Sequence, residues 1–209
     1  MSKVLILAFD GVEALDFAGP FEVFTTATRM HQRLHPDAAP LFSVASVADV
    51  ADTGQAVAAR AGLRLLPDHT LAQSPPADVL IVPGGVVDTP MASSATLAWI
   101  ARQAGAARIT ASVCTGAFLL AAAGVAGDGD IVTTHWEDVA DLRRQFPALQ
   151  VQQGPRWVDN GRVVTSAGIS AGIDMSLHLV ERLAGRALAE RTARQMDFEW
   201  TENETQEPA

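Results

Sequence analysis

Short apolar runs alternate along the chain with longer segments of helical character, and this alternation limits the choice of fold. Residues 4–9 (VLILAF) and 79–82 (VLIV) carry no polar side chain, so each is predicted to be a strand buried on both faces. Residues 41–47 and 108–113 are also predicted strands, and residues 15–30 form a predicted helix. The pattern predicts an α/β fold, with a mostly parallel sheet covered by helices on both faces.

The second half of the chain continues the alternation. Further strands are predicted at 130–134 and 162–166, and helices at 90–104, 116–124, 137–146, 173–183 and 187–198. The 209 residues suffice for one sizeable core, and no repeat or linker divides them. We therefore expect a single domain over residues 1–200 and a polar, disordered tail over 201–209.

The only cysteine of the chain, Cys114, lies where a predicted strand turns into a predicted helix. Ser112 and Gly116 flank it closely, and such small neighbours are needed at a nucleophile elbow, where a tight turn exposes the nucleophile above the sheet. The start of the helix is expected to give the thiol thiolate character. The alternative is a small apolar residue that fills the core.

Other segments with chemical potential also follow predicted strands. Residues 10–16 follow the first strand, Gly84 and Gly85 follow the strand at 79–82, and His135 follows the strand at 130–134. Because parallel strands end at the same edge of a sheet, these segments are expected to meet near Cys114. The amides of Gly84, Gly85 and Thr115 would then form a cradle for negative charge. Gly84-Gly85 could instead be an ordinary tight turn, and the Thr115 side chain could cap the helix.

Asp16 is the best candidate for proton transfer, because it stands in an otherwise apolar segment where burial would raise its pKa. Its alternative role is to cap the first helix. His135 could pair with Cys114 or serve a structural role, and the sequence leaves both open. No histidine, cysteine and carboxylate group has the spacing of a metal site, and no phosphate-binding glycine loop is found, so neither metal nor cofactor is expected.

Composition restricts the partners and the compartment. A formal net charge of −9 argues against nucleic acid or an anionic membrane as a partner. A single cysteine excludes an intramolecular disulfide and fits a reducing compartment. No apolar run approaches the ~20 residues of a membrane helix, and the N-terminus does not have the pattern of a signal peptide. A cytoplasmic protein is expected.

Five segments together resemble the ThiJ/PfpI superfamily, which is related to the class I glutamine amidotransferases. They are residues 15–20 (LDFAGP), 82–85 (VPGG), 112–117 (SVCTGA), 133–136 (TTHW) and 165–174 (TSAGISAGID). The resemblance runs from the first strand to about residue 183. It implies a flavodoxin-like sandwich, commonly a homodimer, in which an acidic side chain approaches the elbow cysteine.

Within this superfamily, the residues around Cys114 distinguish one branch from others. The protease-like, chaperone-like and glyoxalase branches have glutamate where Asp16 stands, and commonly histidine or alanine where Thr115 stands. Asp16 with Cys114-Thr115 resembles the isonitrile hydratases and also the amidase-like domain of AraC-type regulators. Those regulators carry a further helix-turn-helix region of ~100 residues, which is not expected in this chain.

The hydratase resemblance implies a cofactor-free lyase that adds water to a small-molecule isocyanide and releases an N-substituted formamide. Cys114 would be the nucleophile, Asp16 the general acid and base, and Thr115 a group that holds Asp16 or the substrate. Gly84, Gly85 and His135 would face the substrate. Two alternatives stay open: other cysteine chemistry of the superfamily, on amides or glyoxal-type carbonyls, and a non-enzymatic module that senses a ligand or oxidation.

Overall fold

The computed structural model describes residues 1–203 of the chain. The strands are β1 (Ser2–Ala8), β2 (Phe42–Ala48), β3 (Val57–Ala58), β4 (Arg64–Leu65), β5 (His69–Thr70), β6 (Val79–Val82), β7 (Ile109–Val113), β8 (Ile131–Val132), β9 (Gln150–Val151), β10 (Trp157–Asp159) and β11 (Val163–Ser166). The helices are α1 (Ala14–Leu34), α2 (Asp88–Ala92), α3 (Ser94–Ala106), α4 (Gly116–Ala122), α5 (Val139–Gln145), α6 (Ala171–Ala184) and α7 (Arg186–Gln195). Short 3₁₀ turns occupy Arg60–Gly62 and Trp136–Asp138.

The central sheet has the strand order β10-β11-β7-β6-β1-β2-β5. Its neighbouring strands pair in parallel, except that β10 runs antiparallel to β11 at one edge. The chain moves from β1 to β2 in one direction and from β6 to β7 in the other, so the topology reverses between β1 and β6. In open α/β sheets, ligands bind beyond the carboxyl ends of the strands at such a reversal.

The same reversal places helices on both faces of the sheet. Right-handed crossovers put the helix between β1 and β2 on the face opposite to the helices between β6 and β7. In agreement, α1 packs with α6 and α7, whereas α4 packs with α2 and α3. The predicted α/β architecture, a mostly parallel sheet between two helical layers, is confirmed.

The apolar runs that predicted the inner strands are buried as expected. Residues of β1 from Val4 onward are at most 1% exposed, and the four residues of β6 are fully buried. Covering both faces of a strand by helices leaves no position for a polar side chain, which explains why these runs are continuous. Each fully buried aliphatic side chain here contributes about 1.5–3 kcal/mol to folding.

The helix predicted over 137–146 is a 3₁₀ turn followed by α5, and the helix predicted over 187–198 ends at Gln195. Two further predicted elements differ more strongly from the structure. The helix predicted over 90–104 is two helices, because Ser93 ends α2 and caps α3 by accepting a hydrogen bond from the Thr96 amide at 3.2 Å. The strand predicted over 130–134 shortens to β8, which pairs with β9 in a separate two-stranded sheet. The expectation that His135 follows a strand of the central sheet is therefore wrong.

Residues 201–203 are hydrogen-bonded, in contrast to the disorder predicted from residue 201 onward. The Thr201 amide donates to Asp174 Oδ1 at 2.8 Å, and Asn203 Oδ1 accepts from the Arg156 amide at 2.9 Å. The rest of that predicted tail, 204–209, lies outside the described residues, and the single domain over 1–200 stays a prediction. Within residues 1–203, no helix is long and apolar enough to cross a membrane.

Candidate active site

A cleft of about 740 Å³ opens beyond the carboxyl ends of β6 and β7, at the reversal of the sheet. Cys114, Thr115, Gly85 and His135 line it, so four of the six predicted site residues face one space. Asp16 lies behind this wall, where its carboxylate accepts a hydrogen bond from the Gly84 amide. The folded chain thus brings together segments separated by up to 119 residues of sequence, from position 16 to position 135.

Cys114 occupies the strand-to-helix turn that the sequence predicted. Its backbone φ of +56° lies in the left-handed region, which costs a residue other than glycine about 1–3 kcal/mol. Hydrogen bonds hold this conformation: the Cys114 amide donates to Ser166 O at 3.1 Å, and Thr134 Oγ1 donates to Cys114 O at 2.8 Å. The strained geometry of a nucleophile elbow is therefore present, and it is fixed from the neighbouring strand and from the 133–135 segment.

Asp16 is a fully buried carboxyl in the first turn of α1. Its Oδ2 accepts a hydrogen bond from the Gly84 amide at 3.2 Å, and its Oδ1 has no partner within the described residues. Burial and, to a smaller extent, the charge of Glu13 raise the pKa of Asp16 to about 7, against the opposing hydrogen bond from the Gly84 amide and the weaker influence of the Cys114 thiol. Glu13 holds the N-cap position, so the alternative of Asp16 as the helix cap is wrong.

The resting thiol of Cys114 is not acidic. Burial, followed by the negative charge of Asp16, raises the pKa of Cys114 to about 12, although the backbone amide of Thr115 favours the thiolate. The predicted thiolate character is therefore wrong for the resting site, because desolvation and a neighbouring carboxylate outweigh the start of the seven-residue α4. Near neutral pH the sulfur keeps its proton, and Asp16 is the group that titrates.

Thr115 connects the cysteine turn to the Gly84-Gly85 turn. Its Oγ1 accepts from the Gly85 amide at 2.8 Å and donates to Gly85 O at 2.9 Å, and it makes no capping bond to α4. The capping alternative for Thr115 is therefore wrong. Because Asp16 and Thr115 already accept from the amides of Gly84 and Gly85, the predicted cradle of free glycine amides is not present in this arrangement.

Gly84 is more than a residue of an ordinary tight turn. A Cβ atom at this position would lie 2.6 Å from both the amide nitrogen and Oγ1 of Thr115, and 2.9 Å from Asp16 Oδ2. Real Cβ atoms essentially never come so close, so glycine is needed for the carboxyl and the elbow to meet. The requirement is one of space, since Gly84 itself has no positive φ.

His135 lies at the wall of the cleft, with its side chain 21% exposed. Its Nε2 is 3.5 Å from Glu137 Oε2, and its buried Nδ1 has no hydrogen-bond partner among residues 1–203. The ring packs so closely against Gly168 that no Cβ could be added there. Within the described residues no hydrogen bond joins His135 to Cys114, and its role toward a substrate stays a prediction.

Two sets of cleft residues were not foreseen from the sequence. The first set is apolar: Val86, Val87, Met91, Phe118 and Ile169. The second set consists of carboxylates that also line the cleft: Glu13, Asp88, Glu137, Asp138 and Asp141. In the sequence the acids resemble ordinary solvated residues of loops and helix surfaces, and only their positions after the strand ends could have indicated the cleft. Within residues 1–203, no group of three or more histidine, cysteine, aspartate or glutamate side chains is placed to hold a metal ion.

Comparison with known proteins identifies the family of this architecture. The DJ-1/PfpI family model matches residues 2–182. The chain belongs to this family. A ThiJ/PfpI family protein from Pseudomonas syringae has the same fold, with a TM-score of 0.80 and 27% identity, over 95% of this chain and 75% of that chain.

Relatives within the family include both an enzyme and transcriptional regulators. An isonitrile hydratase from Pseudomonas putida is 34% identical over 198 residues, which cover 94% of this chain and 78% of the hydratase. The HTH-type transcriptional regulator GbdR from Pseudomonas aeruginosa is also 34% identical, over 151 residues. That match covers 72% of this chain but only 41% of the regulator. Family membership alone therefore leaves the specific activity open.

Proposed function

We propose that this DJ-1/PfpI protein is an isonitrile hydratase, which adds water to R–NC to give R–NH–CHO without a cofactor. The observation that carries the proposal is the buried carboxyl of Asp16, which acts on the Cys114 thiol and has a pKa of about 7. A group that is half protonated at neutral pH gives and takes a proton with similar ease. The similarity to the hydratase from Pseudomonas putida supports the same reaction.

In the first step, the sulfur of Cys114 bonds to the terminal carbon of the isocyanide. That carbon takes the thiol proton, which ionised Asp16 removes from the sulfur and passes on, so the product is the thioimidate R–N=CH–S–Cys114 and Asp16 is left ionised. Proton donation as the carbon–sulfur bond forms avoids a free thiolate, which the high pKa of Cys114 would make costly. This explains why the chemistry needs a buried carboxyl beside the thiol.

In the second step, water attacks the thioimidate carbon while Asp16 takes one of its protons. Asp16 passes that proton to the nitrogen, which gives R–NH–CH(OH)–S–Cys114. The carbon–sulfur bond then breaks and the hydroxyl proton returns to the Asp16–Cys114 pair, so the formamide leaves and the resting site is restored. The net reaction consumes R–NC and one water and gives R–NH–CHO.

The remaining site residues have positioning roles in this proposal. Thr115 and Gly85 join the two turns through their pair of hydrogen bonds, and Gly84 gives the space in which Asp16 approaches the elbow. The isocyano group offers few contacts, so most of the binding energy has to come from its substituent. The apolar residues of the cleft lining, including Phe118 and Met91, form the surface that we assign to it.

A steady-state assay with 4-methylphenyl isocyanide, with the formamide quantified by chromatography, tests the proposal. We expect formation well above the rate in buffer, and none above that rate after Cys114→Ala. A wild-type protein that forms no more formamide than buffer does would refute the assignment.

A second candidate follows from the similarity to GbdR: a module that binds a ligand without turning it over. It is favoured if isocyanides bind, as measured by calorimetry, but no formamide appears.

We also propose the homodimer and the cytoplasmic location that the sequence led us to expect. Light scattering of the purified protein tests the dimer.

A further inference from the structure

The cleft in front of Cys114 carries an unusual excess of negative charge on its walls. Five carboxylates line it: Glu13, Asp88, Glu137, Asp138 and Asp141. They come from the loop before α1, from the start of α2, and from the 136–145 segment. Charges from three separate parts of the chain therefore face the one space through which a substrate reaches the sulfur.

Positive charge within this cleft is scarce. Arg60 is the one lysine or arginine of the described residues that lines it, and its guanidinium lies 3.8 Å from Glu13 Oε2. The Arg60 side chain is 65% exposed, as is that of Glu137, so water screens both charges to a similar extent and the excess of negative charge rests on the number of acids. The arginine thus offsets Glu13 in part, and Arg144, outside the lining, lies 2.7 Å from Asp141 Oδ1. Within residues 1–203, no lysine or arginine forms an ion pair with Asp88, Glu137 or Asp138.

The carboxylates are close enough to act on one another and on the nucleophile. Burial first, then repulsion from Asp141 and Glu137, raises the pKa of Asp138, although His135 and Arg60 oppose this shift. The charge of Asp138 in turn helps to raise the pKa of Cys114. The negative potential of the wall therefore reaches the reacting sulfur.

We infer that the cleft selects substrates by charge: it accepts isocyanides whose substituent is neutral or cationic and rejects those that carry a carboxylate. This inference rests on the proposed hydratase function and specifies its substrate class. An apolar substituent with a terminal ammonium would place its hydrocarbon part against Val86, Val87 and Ile169 and its charge among the carboxylates. An anionic substituent would meet like charges in the same position.

Three probes test the inference, each a phenyl isocyanide with a different group at the 4-position: methyl, trimethylammoniomethyl and carboxylatomethyl. The CH₂ spacer weakens the effect of the charge on the reactivity of the isocyano group, and comparing the ratio between protein variants cancels what remains of it. We expect kcat/KM to be at least ~10-fold higher for the ammonium probe than for the carboxylate probe at low salt. The ratio should shrink in 1 M NaCl, where the Debye length falls to about 3 Å.

The double variant Glu137→Gln/Asp141→Asn removes two exposed charges from the cleft wall and should reduce the ammonium-to-carboxylate ratio several-fold. The control Asp37→Asn/Glu190→Gln removes the same number of charges from residues outside the cleft lining and should leave the ratio unchanged. Since the two variants have the same net charge, their comparison separates the cleft from the overall charge of −9.

The outcomes separate this inference from the function on which it rests. If the methyl probe is not hydrated, the hydratase assignment fails first. If the methyl probe is hydrated but the two charged probes react equally, or the carboxylate probe reacts faster, selection by charge is overturned. The same conclusion follows if the cleft variant and its control change the ratio to the same extent.

Discussion

Asp16 is the residue whose environment departs furthest from that of an ordinary aspartate. It is fully buried, one oxygen has no partner within the described residues, and the other accepts a single backbone hydrogen bond. A buried carboxylate usually requires several donors or a cation, and without them it favours the neutral form. The fold therefore keeps Asp16 as a group that exchanges protons, at a cost in stability when it ionises.

The first prediction concerns the reaction. Asp16→Asn keeps the size of the side chain and the hydrogen bond from the Gly84 amide, but it removes the group that carries the proton. We expect kcat for 4-methylphenyl isocyanide to fall at least ~10²-fold, the usual contribution of a positioned acid or base. Asp16→Glu serves as the comparison: a larger residual rate than in Asp16→Asn is expected, and equal rates would argue against proton transfer by this carboxyl.

The second prediction concerns stability, and its sign follows from the direction of the shift. The pKa of Asp16 rises from 3.8 to about 7 on folding, so the folded protein binds this proton more tightly than the unfolded chain. Protonated Asp16 contributes its full share to the free energy of unfolding below about pH 4, and this contribution is lost as the pH rises through 7. The total loss is about 4 kcal/mol, at 1.36 kcal/mol for each pKa unit.

Urea unfolding at several pH values measures this effect. Asp16→Asn should be more stable than the wild type at pH 8.5 by up to about 4 kcal/mol, and the difference should vanish near pH 4. Taking the difference between the two proteins cancels the titration of all other groups. A difference that stayed constant across this range would mean that Asp16 titrates in the folded protein much as it does in the unfolded chain.

At the scale of elements, the turn after β6 and the elbow after β7 act as one unit. Thr115 bonds both backbone groups of Gly85, and Gly84 leaves room for Asp16 on α1. Elements distant in sequence are thus held within hydrogen-bonding distance by short loops. Because these loops extend from a buried sheet, the site has a rigid support.

The third prediction tests that support. Gly84→Ala would press its Cβ against Thr115 and Asp16, so we expect a loss of about 1–3 kcal/mol in stability and a fall in kcat at least as large as that of Asp16→Asn. Gly105→Ala is the matched control, because Gly105 lies inside α3 with no atom within 4 Å of an added Cβ. It should gain about 0.5–1 kcal/mol from helix propensity and keep full activity. Thermal unfolding and the formamide assay measure both variants, and similar behaviour of the two would contradict this role of Gly84.

The sequence predicted well the elements whose surroundings require particular residue types at successive positions. β1 and β6 could be predicted because burial on both faces leaves a continuous apolar run, and the elbow because its small residues flank the cysteine. The break between α2 and α3 at Ser93 could not be predicted, because a serine on a helix surface and a serine that caps a new helix look alike in sequence. The acidic wall of the cleft was missed for a similar reason: exposed acids give no local signal of what they face.

At the scale of the whole molecule, a polar network joins the last described residues to the sheet. Asp174 on α6 is fully buried and forms an ion pair with Arg156, whose Nε donates to Asp174 Oδ2 at 2.8 Å. The Thr201 amide donates to the other oxygen at 2.8 Å. The backbone continues this network toward Cys114. The amide of Ala167 donates to Arg156 O, and Ala167 O accepts from the Cys114 amide. Such pairing between distant polar residues has no signature in local sequence.

The last prediction follows from the burial of Asp174 in this ion pair. Arg156→Leu would leave the fully buried carboxylate without its cation. Removing one partner of a fully buried pair typically costs about 3–5 kcal/mol, and because the Arg156 side chain is 32% exposed we expect about 2–3 kcal/mol. The double variant Arg156→Leu/Asp174→Asn removes both charges and should regain a large part of that loss, which urea unfolding measures directly. If the double variant were instead less stable than Arg156→Leu by the full cost of Asp174→Asn alone, the two residues would act independently. The C-terminal residues would then be held by their backbone hydrogen bonds and not by the ion pair.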